Sequence, residues 1–222
     1  MTLLAHLHES YIHGRRIRRL SELLSELIPS GCSLLDVGCG DGKISRLLLD
    51  KRPDLQIEGV DVLVRDQVWL PVKSFDGMRL PFAEASFDGV MLIDVLHHTD
   101  NPVSLLREAI RVSRRWFVVK DHLLRGAISA LGLRFMDYVG NSRFGVPLPY
   151  NYLSPQEWCE LRLQFDLKVT AEVTELGLYP SPIDCVFGKG LHFIGLWERN
   201  MREKVPGEPA TYPALQSRPS GS

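Results

Sequence analysis

The chain has 222 residues, of which 45% are hydrophobic, and its formal net charge is −1 at pH 7. This length is typical of a single domain, and the near-zero charge gives no reason to expect a nucleic-acid partner. The sequence has no run of 18 apolar residues, so we expect no membrane span.

The cysteines and the N terminus favour a reduced, cytoplasmic protein. No C-x-x-C spacing occurs, which argues against a metal site and against a disulfide framework. The first nine residues lack the cationic start and the long apolar core of a secretory signal. The four cysteines are Cys32, Cys39, Cys159 and Cys185.

An amphipathic helix is predicted over residues 9–28. Apolar residues recur there at helical spacing, and Pro29 and Gly31 end the pattern. Four arginines between positions 15 and 19 could bind a phosphate, but a solvated helix face is the favoured interpretation.

The most informative stretch, residues 34–42, reads LLDVGCGDG. The apolar positions around Asp36 predict a buried strand, and a helical pattern begins at Lys43. Between them a glycine turn would let a ligand lie against the backbone, because glycine tolerates positive φ and carries no side chain. The helix N terminus beyond favours a negative group. The three glycines are Gly38, Gly40 and Gly42.

The spacing of this loop discriminates between cofactors. A nicotinamide fingerprint needs its third glycine where Lys43 stands, which disfavours a nicotinamide oxidoreductase. The acid-x-Gly-x-Gly-x-Gly pattern instead resembles the first motif of the class I S-adenosylmethionine-dependent methyltransferases. An acid just before the glycines suits a positively charged cofactor. The resemblance implies that Asp36 and the three glycines bind S-adenosylmethionine.

Two further acids lie where this cofactor would need them. Residues 56–62 predict a second strand ending in Asp61, about 20 residues past the glycines, where a carboxylate can accept hydrogen bonds from two ribose hydroxyls. Residues 75–82 read FDGMRLPF. In the family a similar acid lies near the adenine amino group, so the resemblance places Asp76 and Gly77 in the adenine site.

Residues 86–100, SFDGVMLIDVLHHTD, predict a buried strand that leaves the sheet at its carboxyl edge, where ligands bind in open α/β sheets. With the Asn-Pro that follows, this pattern resembles the small-molecule, type 11-like branch of the family. The resemblance covers residues 31–121 well and the rest in outline. It implies that Asp94 faces the sulfonium or the acceptor.

Three histidines are expected at this edge. A hydroxyl acceptor needs a base, and histidine suits that role near neutral pH. His122, just after a fifth strand at residues 116–120, is the first candidate and His98 is the second. His97 is expected to pack inward with a backbone hydrogen bond.

The order of the elements predicts the fold class. Strands and helices alternate up to Asp121, as a parallel sheet requires, with a helix starting near Asn101-Pro102. Strands near residues 167–174 and 191–197 form a hairpin. The resemblance implies an α/β, Rossmann-like three-layer sandwich with a mostly parallel seven-stranded sheet and one antiparallel strand near the C terminus.

Two stretches depart from the family pattern. Residues 112–115, VSRR, replace a Pro-Gly-Gly turn before the fifth strand. Residues 62–72 lack the usual helix-forming run after the ribose acid, so we expect an irregular connection there and an adenine pocket built differently.

We expect residues 1–199 to form one methyltransferase domain. Within it, residues 123–164 are a variable insert in which Ser154 caps a helix that begins at Pro155. Its aromatic and polar side chains fit a lid over the acceptor site. Residues 200–222 are rich in Pro, Gly and Ser and are expected to be disordered.

Methyl transfer to a small-molecule acceptor is the function that the resemblance implies. The fourth strand has no Asn/Asp-Pro-Pro-Tyr loop, which in the family accompanies planar nitrogen acceptors, so oxygen or carbon is favoured. The alternative is a non-catalytic S-adenosylmethionine-binding or scaffold protein of the same fold.

Overall fold

The computed structural model of the chain describes residues 8–141 and 148–200. Within these ranges the strands are β1 (Ser33–Val37), β2 (Gln56–Asp61), β3 (Val72–Ser74), β4 (Phe87–Ile93), β5 (Ser113–His122), β6 (Leu167–Val173) and β7 (His192–Arg199). The α-helices are α1 (Gly14–Leu27), α2 (Lys43–Lys51), α3 (Pro102–Val112), α4 (Ala127–Asn141), α5 (Pro155–Gln164) and α6 (Ile183–Phe187). A π-helical turn, His8–His13, precedes α1, and a 3-10 turn, Leu96–His98, follows β4.

The seven strands form one sheet in the order β3-β2-β1-β4-β5-β7-β6. The pairs among β1 to β5 are parallel, and β7 runs antiparallel to both of its neighbours, β5 and β6. The predicted fold class is therefore confirmed, with β7 as the antiparallel strand.

The strand register brings the predicted site residues to one edge of the sheet. Val37, the last residue of β1, lies beside Val60 and Leu92, and Ile93 lies beside Lys120. Because parallel strands end on the same side, the segments that follow β1, β2, β4 and β5 meet there. The glycine loop, Asp61, Asp94 and His122 all come from these ends.

Both faces of the sheet are buried, as a three-layer architecture requires. Leu34 and Met91 face one core, and their neighbours Leu35 and Val90 face the other. Such alternation explains why the central strands are apolar throughout. Helices α1 and α2 cover the first face with Leu20, Leu24 and Leu48. Helices α3 and α5 cover the second face with Leu105, Leu106 and Trp158.

The predicted helix ends agree with the structure at two caps. Asn101 precedes α3 and its side chain accepts a hydrogen bond from Ser104 N at 3.0 Å, with Pro102 in the first turn. Ser154 and Glu157 form a capping box at the start of α5. Both caps satisfy backbone N–H groups that a helix leaves without partners at its N terminus.

The two departures from the family pattern also have structural outcomes. Residues 62–71 contain no helix, as expected for the irregular connection. At residues 112–115 no separate turn exists, because α3 ends at Val112 and β5 begins at Ser113. The pairing of β4 with β5 has a register shift between Phe87 and Gly89. A Cβ at Gly89 would lie 2.4 Å from the Trp116 ring, so this crossing is tight.

The insert contains α4 and α5, and the predicted tail of residues 200–222 lies, beyond its first residue, outside the described residues. Among the described helices, none combines the length and the apolar character that crossing a bilayer would need.

Candidate active site

A cavity of about 1290 Å³ opens at the carboxyl edge of the sheet. Its walls come from α1, the glycine loop, the ends of β2, β4 and β5, and helices α4 and α6. Two predicted cofactor residues, Asp36 and Gly42, are not among the described residues that line it. The predicted residues that do line it are Gly38, Gly40, Asp61, Asp76, Gly77, Asp94, His98 and His122.

The glycine loop presents bare backbone to this cavity. Gly38 and Gly40 have φ values of 70° and 60°, which residues other than glycine rarely adopt. A Cβ at Gly38 would lie 2.6 Å from Val95, and one at Gly40 would lie 3.2 Å from the Arg65 guanidinium. The loop therefore forms a cradle that a side chain would fill.

The third glycine has a packing role instead. At Gly42 φ is 75°, and a Cβ there would lie 1.6 Å from Leu70 Cδ2 on the irregular connection. Trp69 N donates to Asp41 O at 2.7 Å and fastens the same connection to the loop. Gly42 thus lets the irregular connection pack against the start of α2.

Asp36 lies behind the loop rather than in the cavity. The carboxylate is 4% exposed, and Ser45 Oγ on α2 donates to its Oδ2 at 2.5 Å. Burial raises the pKa of Asp36 to about 7, although the bond from Ser45 opposes the rise. The structure thus shows Asp36 joining β1 to α2, and direct cofactor binding by this residue stays a prediction.

Asp61 connects the end of β2 to the glycine loop. Its Oδ2 accepts a hydrogen bond from Gly40 N at 2.7 Å, and its Oδ1 accepts one from Leu63 N at 2.9 Å. A carboxylate has about four acceptor positions, so these bonds fix its orientation and leave capacity for two hydroxyls. The geometry is compatible with the predicted ribose contact.

Asp76 and Gly77 lie in an exposed turn at the rim of the cavity. Asp76 Oδ1 accepts from Met78 N at 2.8 Å and from Arg79 N at 2.7 Å, and these bonds lower the pKa of Asp76. Gly77 has a φ of 78°, and a Cβ there would lie 3.2 Å from Val62. The carboxylate is thus ionised and fixed beside the irregular connection, as an adenine-site acid would be.

Asp94 is an ion-paired residue at the end of β4. Its carboxylate is bonded to Arg16 from α1 and to Lys120 from β5. Burial favours a higher pKa for Asp94, but the two cations outweigh burial and hold the pKa well below its usual range. The backbone adopts a φ of 57°, which is uncommon outside glycine and is typical of functional sites.

His97 packs inward as expected, but its ring contacts carboxylates, so the expected backbone hydrogen bond is wrong. Its Nδ1 lies 2.6 Å from Asp121 Oδ1, and its Nε2 lies 3.3 Å from Asp137 Oδ2. Burial alone would lower the pKa of His97, but the two carboxylates raise it to about 10. At neutral pH this ring is an imidazolium.

The two histidines that line the cavity are held neutral. Burial first, and then the charge of His97, lower the pKa of His122 and bring the pKa of His98 to about 4. His122 Nδ1 lies 3.4 Å from Asp121 Oδ1, and Trp158 Nε1 donates to the His122 carbonyl at 2.9 Å. Neutral rings in a cavity wall can each accept a proton.

Sequence reasoning missed most of the residues that surround these histidines. Lys120 offered a signal, because a lysine inside an apolar strand is rarely buried without an ionic partner. Asp137 had no comparable signal, since it lies on α4, whose position over the site only the tertiary structure shows. The missed residues are Arg16, Lys120, Asp137 and His192.

The same cluster offers donor atoms to a metal, but its charges do not fit one. Ligand atoms of Asp94, His97 and His122 lie within 4.8 Å of one another. Arg16 and Lys120 already neutralise Asp94, and an imidazolium at His97 has no lone pair for a metal. No metal ligation is proposed for these residues.

Comparison with known proteins gives one family. A model of the "methyltransferase domain" matches residues 8–172, about three quarters of the chain. A methyltransferase from Amycolatopsis mediterranei, 27-O-demethylrifamycin SV methyltransferase, is 28% identical over 111 residues, which is 43% of this chain and 40% of that protein. The O-methyltransferase rstn1 of Aspergillus nomiae is 35% identical over 113 residues, 45% of this chain and 49% of that protein. The chain thus spans less than half the length of these curated relatives.

A solved structure supports the fold. The crystal structure of a SAM dependent methyltransferase from Aquifex aeolicus superposes with a TM-score of 0.57 at 16% identity, covering 85% of this chain and 97% of that chain. At this level of identity the likeness concerns the fold alone.

Proposed function

The chain belongs to the class I S-adenosylmethionine-dependent methyltransferase family, and from this premise we propose that it methylates an oxygen or carbon atom of a small molecule. The observation that carries the proposal is a single cavity lined both by the glycine loop with Asp61 and by two neutral histidines. A cofactor cradle and proton acceptors in one enclosure are what methyl transfer to a protic acceptor requires.

The residues of the cavity fit S-adenosylmethionine. Gly38 and Gly40 leave backbone free where a Cβ would otherwise project, Asp61 has acceptor capacity for ribose hydroxyls, and Asp76 lies at the rim for the adenine amino group. When bound, this cofactor supplies an activated methyl group on a sulfonium. The protein then has to position the acceptor, exclude water and remove a proton.

His122 is the proposed base, and His98 is the alternative. Asp121 lies beside His122 Nδ1, which favours a proton on that nitrogen and leaves Nε2 as the proton acceptor. The tautomer is an assignment from these partners. Asp94 is the remaining predicted contact to the sulfonium or the acceptor, and it would act as one member of its ion-paired group with Arg16 and Lys120.

The wider assignment forms part of the same proposal. We take residues 1–199 as one methyltransferase domain in which residues 123–164 cover the acceptor; α4 from this insert lines the cavity with Phe135, Met136 and Asp137. The near-zero net charge supports an acceptor other than a nucleic acid. All four cysteines are unpaired, which supports a cytoplasmic location. The names of the two curated relatives favour oxygen as the methylated atom.

Calorimetric titration with S-adenosylmethionine and with its demethylated product tests the proposal. We expect micromolar binding to the wild type. Asp61→Ala should weaken it about 100-fold, because two hydrogen bonds to a charged group contribute roughly 3 kcal/mol. Asp66→Ala is the matched control, since Asp66 is an exposed carboxylate of the irregular connection that does not line the large cavity.

Each outcome separates the alternatives. Absence of binding to the wild type would contradict the proposal. Binding that Asp61→Ala leaves intact would contradict the site assignment. Binding without turnover of any acceptor, and with no effect of His122→Gln or His98→Gln, would favour a non-catalytic S-adenosylmethionine-binding protein.

A further inference from the structure

Three carboxylates and three basic groups are packed together at the wall of the cavity. Asp94 is bonded to Arg16 and Lys120, which together outweigh its charge by one. Asp121 and Asp137 are 1% and 6% exposed and add two negative charges. Without a further cation the group would carry a buried net charge of −1, which is costly in a medium of low polarity.

His97 is placed to supply that cation. Asp121 Oδ1 lies 2.6 Å from one ring nitrogen, and Asp137 Oδ2 lies 3.3 Å from the other. Ionised carboxylates only accept hydrogen bonds, so Nδ1 donates to Asp121. Nε2 makes no hydrogen bond with good geometry to a described residue, but it lies beside the Asp137 carboxylate, whose charge favours a proton on this nitrogen as well. At 1% exposure the ring has no water to replace either partner.

We propose that His97, held as an imidazolium between Asp121 of β5 and Asp137 of α4, is a positioning residue for the methyl transfer: it keeps His122 neutral and correctly oriented. The inference rests on the proposed function, in which His122 is the base. It adds a role for a residue that does not itself line the cavity.

The contacts of Asp121 explain how the imidazolium orients His122. Asp121 Oδ1 accepts from the His122 backbone N at 2.7 Å and lies 3.4 Å from His122 Nδ1. The nearest nitrogens of His97 and His122 are 3.3 Å apart. The Nδ1 proton of His97 is donated to Asp121 and not to His122, so no hydrogen bond between the two rings offsets the repulsion between two positive charges. A second imidazolium at His122 is therefore disfavoured. His122 thus stays neutral, and Nε2, which lies 4.0 Å from Asp137 Oδ1, is the nitrogen that accepts a proton.

Charged and titratable groups on every neighbouring element are consistent with this arrangement. Asp94 and His98 face the pair of rings from the end of β4, Asp137 from α4, and Tyr152 from the segment before α5. Lys120 and His192 face His122 from β5 and β7. The carboxylates raise the pKa of His97 to about 10 against the effect of burial, whereas burial, and then the charge of His97, lower the pKa of His122.

The arrangement also ties the insert to the sheet. Tyr152 Oη donates to Asp137 Oδ2 at 2.5 Å, so one carboxylate of α4 joins His97 and Tyr152. Asp121 of β5 is the main carboxylate that raises the pKa of His97, and Asp137 adds to its effect when α4 lies over the cavity. The position of α4 therefore contributes to the protonation of His97.

Nitrogen-15 NMR of the histidine rings in the full chain tests the inference directly. In the wild type we expect the His97 ring to remain doubly protonated from pH 5 to pH 8 and the His122 ring to titrate below the ordinary histidine value of 6.5. A His97 ring that titrates near pH 6.5, or that is neutral at pH 7, would overturn the inference.

Variants test the coupling. In His97→Gln the His122 titration midpoint should rise by roughly one pH unit or more, because a neighbouring cation has been removed. Asp137→Asn retains the His97 imidazole and should lower its titration midpoint. This variant replaces His97→Gln in the test if His97→Gln does not fold. Gln156→Ala, which removes an exposed side chain at the start of α5, should leave both resonances in place. An unchanged His122 midpoint in a folded His97→Gln protein would mean a merely structural role.

The two proposals fail separately. Calorimetry with S-adenosylmethionine on the same samples reports on the proposed function, and His97→Gln should bind the cofactor as the wild type does. A wild type that binds cofactor but has a neutral His97 would overturn the positioning role alone. A wild type with an imidazolium at His97 that binds no cofactor would overturn the proposed function.

Discussion

Gly42 shows how one residue couples backbone conformation to packing. It needs a positive φ of 75°, and any Cβ would overlap Leu70. Gly42→Ala should destabilise the chain by about 1–3 kcal/mol, from backbone strain and overpacking together. Gly31→Ala is the control, because its φ is 67° with nothing within 4 Å of a Cβ, so it reports the strain alone. Urea unfolding measures the loss of unfolding free energy in each variant. Equal losses in Gly42→Ala and Gly31→Ala would show that Leu70 moves aside without an energetic cost.

Asp36 gives a residue-scale prediction about pH. Its pKa is about 7 in the folded chain against the ordinary aspartate value of 3.8, so the folded state binds this proton more tightly. The stability that this group contributes is therefore complete below pH 3.8 and is lost as pH rises towards 7. Asp36→Asn mimics the protonated form and removes this loss. Between pH 5 and pH 8 the wild type should lose about 2–3 kcal/mol relative to Asp36→Asn in urea unfolding. If the unfolding free energies of the two proteins changed with pH in the same way, the raised pKa of Asp36 would be contradicted.

His122 gives the corresponding prediction for catalysis. Since burial and His97 lower the pKa of His122, the base is already deprotonated at pH 7. The rate of methyl transfer should therefore be flat around neutral pH and fall only below pH 6.5. His122→Gln should reduce kcat about 10²–10⁴-fold, the range typical of a lost general base. The affinity for S-adenosylmethionine should be unchanged by calorimetry. If His122→Gln kept the wild-type rate, His98 would become the candidate general base.

At the scale of elements, α5 depends on its first turn. Ser154 Oγ accepts from Glu157 N at 3.3 Å, and the Glu157 side chain accepts from Ser154 N at 2.8 Å. Ser154→Ala should cost about 1 kcal/mol of unfolding free energy because α5 loses its N-cap. Gln156→Ala changes the same turn but removes only an exposed side-chain pair, so we expect at most about 0.5 kcal/mol. Thermal unfolding of both variants checks the difference.

The elements differ in how far the sequence could predict them. Six of the seven strands, all but β3, and the caps at Asn101 and Ser154 follow from local rules, since periodicity and capping involve residues close in the chain. The start of β5 at Ser113 does not, because it depends on Trp116 packing over Gly89 on another strand. The same holds for Asp36, whose partner Ser45 is found only in the folded chain.

At the scale of the whole molecule, the site is made from distant segments. The acids of the cofactor end follow β1 and β2, so motif spacing could predict them. The surroundings of the histidines combine Arg16 from α1, Lys120 from β5, Asp137 from α4 and His192 from β7, separated by up to about 175 residues. Apart from Lys120, a charged residue inside an apolar strand, the members of this charge-balanced cluster have no sequence signature, because their partners are distant in the chain.

Ligand binding to the whole chain should be visible as stability. A cofactor that binds only the folded state adds about 2.7 kcal/mol at 100 times its Kd. For a chain of this size that raises Tm by about 5–10 °C. We therefore expect S-adenosylmethionine at this concentration to raise Tm by this amount in the wild type and in Asp66→Ala, but by only about 1 °C in Asp61→Ala, whose Kd is about 100-fold higher. A nicotinamide dinucleotide at the same concentration should have no effect, since Lys43 stands where its fingerprint needs glycine. A shift with the dinucleotide and none with S-adenosylmethionine would contradict the cofactor assignment, because the cradle would then favour a pyrophosphate over a sulfonium.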